Sequence, residues 1–154
     1  MAKQSAGILL YRLKENKPEI FLVHPGGPFW RNKDEGAWTI PKGEFEDNEE
    51  ALAAAKREFW EETGQNIDGG FTELQPIKQK GGKLVYAWAL KGDIDAANIN
   101  SNIFTIEWPP RSGRMSDFPE VDKAEWFDVE TALIKINQGQ IGLVEQLVEW
   151  LFPT

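Results

Sequence analysis

The chain has 154 residues, 41% hydrophobic and 27% charged, the balance of a soluble globular protein with enough interior for a proper core. It has no cysteine and one histidine, which removes disulfides and thiolate sites and leaves little for zinc, so any metal must sit on oxygen: magnesium, manganese or calcium. A formal net charge of −8 argues against a general nucleic-acid binder, whose affinity rests on Lys and Arg neutralising phosphate, but leaves room for a small anionic substrate that a cation mediates.

Residues 5–13, "SAGILLYRL", and 19–25, "EIFLVHP", are strand-like and joined by the polar "KENKP", which predicts a hairpin or neighbouring strands. Residues 26–38, "GGPFWRNKDEGAW", form a Gly-rich loop carrying basic side chains, and "WTIP" is a short apolar strand ended by Pro41. A loop then leads into a helix over about 49–63, with Asp47 or Asn48 as N-cap, acids in the first turn and Gly64 at the end. "FTELQPIKQ", "KLVYAWALKG" and "NIFTIEW" continue as strands. Residues 109–122 read as a loop broken by Pro109, Pro110, Gly113 and Pro119. "KAEWFDV" is a short strand, and 139–152 an amphipathic helix with Ile141, Val144, Leu147, Val148 and Leu151 facing the core.

No repeat or linker divides residues 1–154, which read as one domain with a mixed sheet and few helices. No apolar run approaches the ~20 residues of a membrane span. The apolar stretch at 8–11 is too short for a signal peptide, so the expectation is a cytoplasmic protein with no membrane or nucleic-acid partner.

The stretch "REFWEETG" places Glu58, Glu61 and Glu62 on one helical face. Like charges at these spacings repel by roughly a few tenths of a kcal/mol per pair. Gly64 marks the C-terminal end of the helix, where the dipole disfavours anions further. Leu52, Ala55, Phe59 and Thr63 form the side predicted to pack on the sheet. Ala51 and Ala54 lie with the glutamates, where small side chains leave room for something bulky to approach. Arg57 precedes Glu61 by one helical turn and is placed to pair with it. The ordinary alternative is a solvated acidic face; the other is a divalent cation that turns repulsion into coordination by hard oxygens.

From Gly43 the spaced residues are Gly43, Glu49, Arg57, Glu58, Phe59, Glu61, Glu62 and Gly64. This closely resembles the Nudix box of the Nudix hydrolases, G-x5-E-x7-R-E-U-x-E-E-x-G-U, where U is bulky and apolar. The final U is the departure: Gln65 stands there, with Ile67 shortly after. The resemblance implies an α/β fold, the Nudix fold, in which a mixed β-sheet is sandwiched between helices (α/β/α). It also implies hydrolysis of a nucleoside diphosphate linked to a further moiety, by attack of water on phosphorus with Mg²⁺, or Mn²⁺, as cofactor. By position it makes Glu61 and Glu62 metal ligands, Glu58 a ligand or the base that activates water, and the Gly43 carbonyl part of the first metal site. Arg57 would orient the glutamates, and Glu49 would be a structural member at the loop–helix junction.

Many family members draw one more carboxylate from outside the box. Among Glu107, Glu120 and Glu125, Glu120 is preferred as metal ligand and catalytic residue; its place just before "AEWF" resembles the extra glutamate of dinucleoside tetraphosphate hydrolases. "WTIPKG" resembles the W-x-x-P-K-G of diadenosine polyphosphate and diphosphoinositol polyphosphate hydrolases, whereas members that cleanse oxidised nucleoside triphosphates more often carry P-G-G. Lys42 in that motif would reach a phosphate oxygen as a mobile point charge. Arg31 and Lys33 in the first loop, with Arg111 and Arg114 in the late one, would complete a polyphosphate clamp. Trp30, Trp88 and Trp108 are either core or base-stacking. Tyr86 resembles, somewhat late in the chain, a tyrosine that diadenosine polyphosphate hydrolases carry after the box, and His24 is a turn residue or a catalytic one. The expected substrate is a dinucleoside polyphosphate; the alternatives are a nucleoside triphosphate pyrophosphatase and a non-catalytic nucleotide-binding module. Oligomeric state is not legible.

Overall fold

The computed structural model describes residues 3–153. β1 (Gln4–Lys14) and β2 (Lys17–Pro25) form the expected hairpin, Tyr11 opposite Ile20 and Lys14 opposite Lys17. β3 (Lys42–Glu44) returns antiparallel to β1, with Gly43 opposite Ala6. After α1 (Ala51–Thr63) come β4 (Thr72–Glu73), β5 (Ile77–Lys78) and β6 (Leu84–Lys91); β6 lies parallel to β1 along most of its length. β7 (Ile103–Glu107) and β8 (Met115–Pro119) make a separate two-stranded hairpin, and β9 (Val121–Asp128) closes the main sheet beside β2. α2 (Val129–Lys135) and α3 (Ile141–Leu151) complete the chain. The main sheet has seven strands, ordered β4-β6-β1-β2-β9, with β3 on β1 and β5 on β6.

Alternation along β1 separates two cores. Ala6, Ile8 and Leu10 face α1, packing with Ala54, Ala55 and Phe59. Leu9 and Tyr11 face the other way, against Ala132 of α2 and Leu143, Val144 and Leu147 of α3. Both faces of β1 are covered, so it reads as a nearly continuous apolar run rather than an alternating one. A mixed sheet between helices is the α/β/α arrangement expected. Among the described residues, no helix is long and apolar enough to cross a membrane.

Four local expectations change. Residues 109–122 are not one loop: β8 and the start of β9 lie inside them, because Pro109, Pro110 and Gly113 are confined to the hairpin turn and Pro119 sits at a strand end. "WTIP" makes only isolated bridges, Val23 with Thr39 and Trp38 with Ile136, and regular pairing begins after Pro41. α2 is an element the sequence pattern does not mark; the Asp128 carboxylate caps it by accepting from the Thr131 amide at 2.7 Å. At α1 the N-cap is Glu50, without a side-chain cap or acids in the first turn, while Asp47 accepts a hydrogen bond from Gln4 instead.

Candidate active site

α1 presents the carboxylates, and its end is fixed by Gly64. That residue has φ +74°, and a Cβ there would lie 2.8 Å from the Asn100 carbonyl oxygen, so glycine is required twice over. The Gly64 amide donates to the Trp60 carbonyl, the Asn100 amide to Thr63 and the Asn102 amide to Glu61, so the terminal turn does not depend on water. Phe59 is fully buried against Phe21 and holds the helix to the sheet. Thr63 and Ala55 are buried as expected and Leu52 half-buried, but Ala54 is buried too. The alanine side is therefore filled by the protein's own core and gives a ligand no room.

Glu58 and Glu62 are buried, 9% and 8% exposed. Gly43 explains how Glu58 fits: a Cβ on residue 43 would stand 2.1 Å from the Glu58 carboxylate carbon. The absent side chain lets that carboxylate lie directly on the backbone of β3. Arg57 organises the rest. Its Nε and Nη2 donate to both oxygens of Glu49 at 2.9 Å, and its Nη1 donates to Glu58 Oε1 at 2.9 Å and to Glu61 Oε2 at 3.0 Å. One guanidinium thus binds three carboxylates, a fork geometry that lysine does not offer.

The electrostatics carry the mark of crowded anions. Burial, then the Glu61 charge, raises the Glu58 carboxyl, with Arg57 opposing. Glu62 is pushed well above the usual carboxylate range by burial and by Glu58 and Glu120, while Lys42 and its backbone amide pull the other way. Glu120 is raised by burial and by Glu61. The chain between β8 and β9 thus brings Glu120 into the field of the box glutamates. Three main-chain bonds fix it there: Asn102 amide to Glu61 carbonyl at 2.8 Å, Glu120 amide to Asn102 carbonyl at 2.8 Å, and Gly26 amide to Glu120 carbonyl at 2.9 Å. Glu107 and Glu125 go elsewhere. Glu107 accepts from the Arg111 and Gly113 amides, and Glu125 is exposed on β9.

Lys42 is half-buried, its ammonium pKa lowered by burial and then by Lys83, against the opposing charges of Glu62, Glu44 and Glu58. It lines a cleft of about 160 Å³ together with Trp30, Thr39, Gln79, Asn137 and Gln140. Gln79 and Asn137 are shared with a wider cleft of about 700 Å³ that runs to Gly36, Lys80 and Gln138. Nothing in the sequence marks these amides; single Asn and Gln residues in loops have no periodicity to betray them. Gln140 is buried and shows why the cleft keeps its shape, since its side-chain oxygen accepts from the Ile40 amide and its nitrogen donates to Thr39.

The other expected residues scatter. Tyr86 packs edge-on against Phe45 at 6.1 Å between ring centres, and the strand parity that turns Trp88 and Leu90 to α1 keeps it out of the Lys42 cleft. Arg31 and Lys33 are exposed in the first loop, with the Lys33 ammonium 5.1 Å above the Trp30 ring. Arg111 and Arg114 stand at the tip of the β7–β8 hairpin, away from the carboxylates. His24 is buried and ties two segments together, Nδ1 lying 2.9 Å from Asp122 Oδ1 and Nε2 2.6 Å from the Lys33 carbonyl.

As the side chains stand, no three carboxylate or histidine groups among the described residues close on one point. Arg57 instead occupies the position between Glu58 and Glu61. The donor chemistry still fits a hard divalent cation: four carboxylates, a backbone carbonyl at Gly43, and no thiolate.

A family model described as the NUDIX domain matches residues 1–147. The chain belongs to the Nudix family. Solved structures share the Nudix fold with it. An Ap4A hydrolase of C. elegans in a binary complex is 24% identical, with 97% of this chain and 98% of that chain covered and a TM-score of 0.63. The NUDIX domain of Shewanella oneidensis NrtR, complexed with ADP ribose, is 15% identical over 98% of this chain and 89% of that one, at a TM-score of 0.69. A mutT/nudix family protein from Listeria innocua is 17% identical, covering 97% and 93%, at 0.64. No curated protein matches the chain by sequence. As a Nudix hydrolase the protein acts on phosphoanhydride bonds, chemistry for which the family generally uses a divalent metal.

Proposed function

We propose that this Nudix hydrolase is a Mg²⁺-dependent pyrophosphohydrolase of a dinucleoside polyphosphate, such as diadenosine tetraphosphate, which it cleaves to ATP and AMP. The observation that carries the reading is the geometry of the box: Glu58 seated on the Gly43 backbone and tied with Glu61 to Arg57, Glu62 buried near them, and Glu120 within their field. Lys42, between that cluster and a cleft lined by Trp30 and side-chain amides, supports it, as does the likeness to the C. elegans Ap4A hydrolase.

Glu61, Glu62, Glu58, Glu120 and the Gly43 carbonyl would hold the metal. When bound, it neutralises charge on the phosphoryl oxygens and lowers the pKa of a coordinated water. Phosphoryl transfer otherwise asks for positioning, which the chain provides. Arg57 fixes the rotamers of Glu58 and Glu61, and Lys42 offers a charge to a phosphate oxygen. Water adds to phosphorus as the bridging P–O bond breaks. Its proton passes to Glu58 or Glu120, whose carboxyl groups are raised by burial and by Glu61, which makes each a stronger base than a free carboxylate.

Product analysis by ion-exchange chromatography tests this, with diadenosine tetraphosphate and canonical and oxidised nucleoside triphosphates offered in parallel with Mg²⁺. ATP plus AMP, formed well ahead of any triphosphate cleavage, is the expected result. Preferential release of pyrophosphate from a triphosphate would make the protein a nucleoside triphosphate pyrophosphatase. Nucleotide binding without turnover would make it a non-catalytic module.

A further inference from the structure

The β7–β8 hairpin lies outside the main sheet yet is fastened to the site at its base. Its root residues Asn102 and Glu120 make the main-chain bonds to Glu61 and Gly26 already described. Strand parity then sorts its side chains. Phe104 pairs with Phe118 and Ile106 with Ser116 on the half-buried face, while Ile103, Thr105, Met115 and Asp117 point to solvent. Trp108 stands across from Arg114, its amide donating to the Arg114 carbonyl at 2.9 Å.

The tip is built, not loose. The Glu107 carboxylate accepts from the Arg111 amide at 3.0 Å and the Gly113 amide at 3.2 Å, and Ser112 Oγ accepts from the Arg114 amide at 3.1 Å. Among the described residues neither Arg111 nor Arg114 forms an ion pair, although acidic residues outnumber basic ones, 25 to 17. Beside them Trp108 meets Phe29 of the first loop edge-on at 5.3 Å, and Phe29 is 62% exposed. Two guanidinium groups without ion-pair partners, on the same hairpin as the half-buried Trp108 and its exposed neighbour Phe29, match an aromatic base with its anionic phosphate. Arg114 lies six residue steps before Glu120 across β8, about 20 Å at ~3.3 Å per step. That distance is out of reach of the cleaved phosphate and suits the far end of a long substrate.

We propose that this hairpin is a substrate arm. Arg111, Arg114 and the Trp108–Phe29 pair bind the second nucleotide of a dinucleoside polyphosphate, the one remote from the carboxylates. The proposal rests on the function given above and names the part of the substrate that the arm selects.

The test compares diadenosine tetraphosphate with adenosine tetraphosphate, which has the same phosphate chain and one nucleoside. In the Arg111→Ala/Arg114→Ala double variant of the Mg²⁺-loaded enzyme, the ratio of their kcat/KM values falls at least about tenfold through KM, the loss of roughly one charge-assisted contact. Trp108→Ala lowers the same ratio. The double lysine variant keeps part of it, because charge remains where the fork is lost. A ratio that stays within about twofold overturns the arm, since that is below the smallest contact worth counting. Binding of diadenosine tetraphosphate, followed by tryptophan fluorescence in a Glu62→Gln background, reads the arm without turnover. Binding weakened by the tip changes, together with no hydrolysis of this substrate by the protein that keeps Glu62, keeps the arm and overturns the reaction. Hydrolysis with an unchanged ratio does the reverse, and absence of any binding overturns both.

Discussion

The carboxylate box and the β7–β8 hairpin are joined by main-chain bonds through Asn102 and are built on opposite terms. The box glutamates stand on a helix clamped by a fully buried Phe59, with Glu58 pressed onto Gly43 and Glu62 almost out of water. The hairpin has no core of its own and exposes Ile103 and Met115, each at 64%. One region tolerates repulsion because rigid packing over-determines it. The other is held by backbone bonds and presents side chains outward. On the function proposed above, chemistry falls to the rigidly packed part and recognition to the part that faces solvent.

Removing a carboxylate from the box should separate the two regions most sharply. Glu61→Gln and Glu62→Gln are expected to lower turnover by well over a hundredfold, beyond the ~10–100-fold that follows loss of a group merely supporting a ligand. Glu62→Gln should at the same time raise the metal-free melting temperature, because it removes a buried charge, by about 2–4 °C for each kcal/mol recovered. A variant that loses activity and melts lower would contradict this reading of the box, and calorimetry in EDTA decides it.

Gly43→Ala comes next. Its Cβ must displace the Glu58 carboxylate, so turnover should drop while the protein stays folded by circular dichroism. Arg57→Lys keeps the charge but cannot bridge Glu49, Glu58 and Glu61 at once; a loss of about 10–100-fold is expected, read as kcat at saturating substrate.

The pH dependence is smaller. Glu58, Glu62 and Glu120 have carboxyl groups raised above their unfolded values, so the stability they contribute is present in full below the unfolded pKa and is lost as pH rises through the folded one. Without metal, the melting temperature should therefore decline from weakly acid toward neutral and alkaline pH. Saturating Mg²⁺ should flatten or reverse the decline, because it binds the ionised form. Melting curves across that range, with EDTA or with Mg²⁺, check the sign.

The smallest effect belongs to the hairpin tip. Arg111→Ala and Arg114→Ala should leave thermal stability within about ±0.5 kcal/mol, as for exposed positions that hold nothing together. A large destabilisation would mean that the tip serves the fold rather than a ligand.

Much of this was legible in the chain. The β1–β2 hairpin, α1 with its Gly64 stop and the apolar face of α3 follow from local periodicity and turn chemistry, which a single stretch of sequence encodes whole. The box was legible through its resemblance to the Nudix pattern, whose members lie one or two helical turns apart or a short loop away; the helix spacing alone left a solvated acidic face open. Reading failed where pairing partners are remote. β8 hid among prolines and a glycine because its strand character comes from opposing β7, and α2 hid behind a strand that runs straight into its Asp128 cap.

The sequence by itself determined a metal-suited acidic helix, a lysine set beside the Gly43 backbone and the absence of any thiolate site, because each is a matter of residue type and near-neighbour spacing. Only the tertiary structure decided that Ala54 is core, that Tyr86 packs on Phe45, and that Glu120 comes within the field of the box glutamates. Only it placed Gln79, Asn137 and Trp30 around Lys42 in one cleft. Those outcomes depend on side-chain direction and on backbone bonds between residues far apart in the chain, such as Asn102 to Glu61 and Gly26 to Glu120, and such bonds have no signature until the chain has folded.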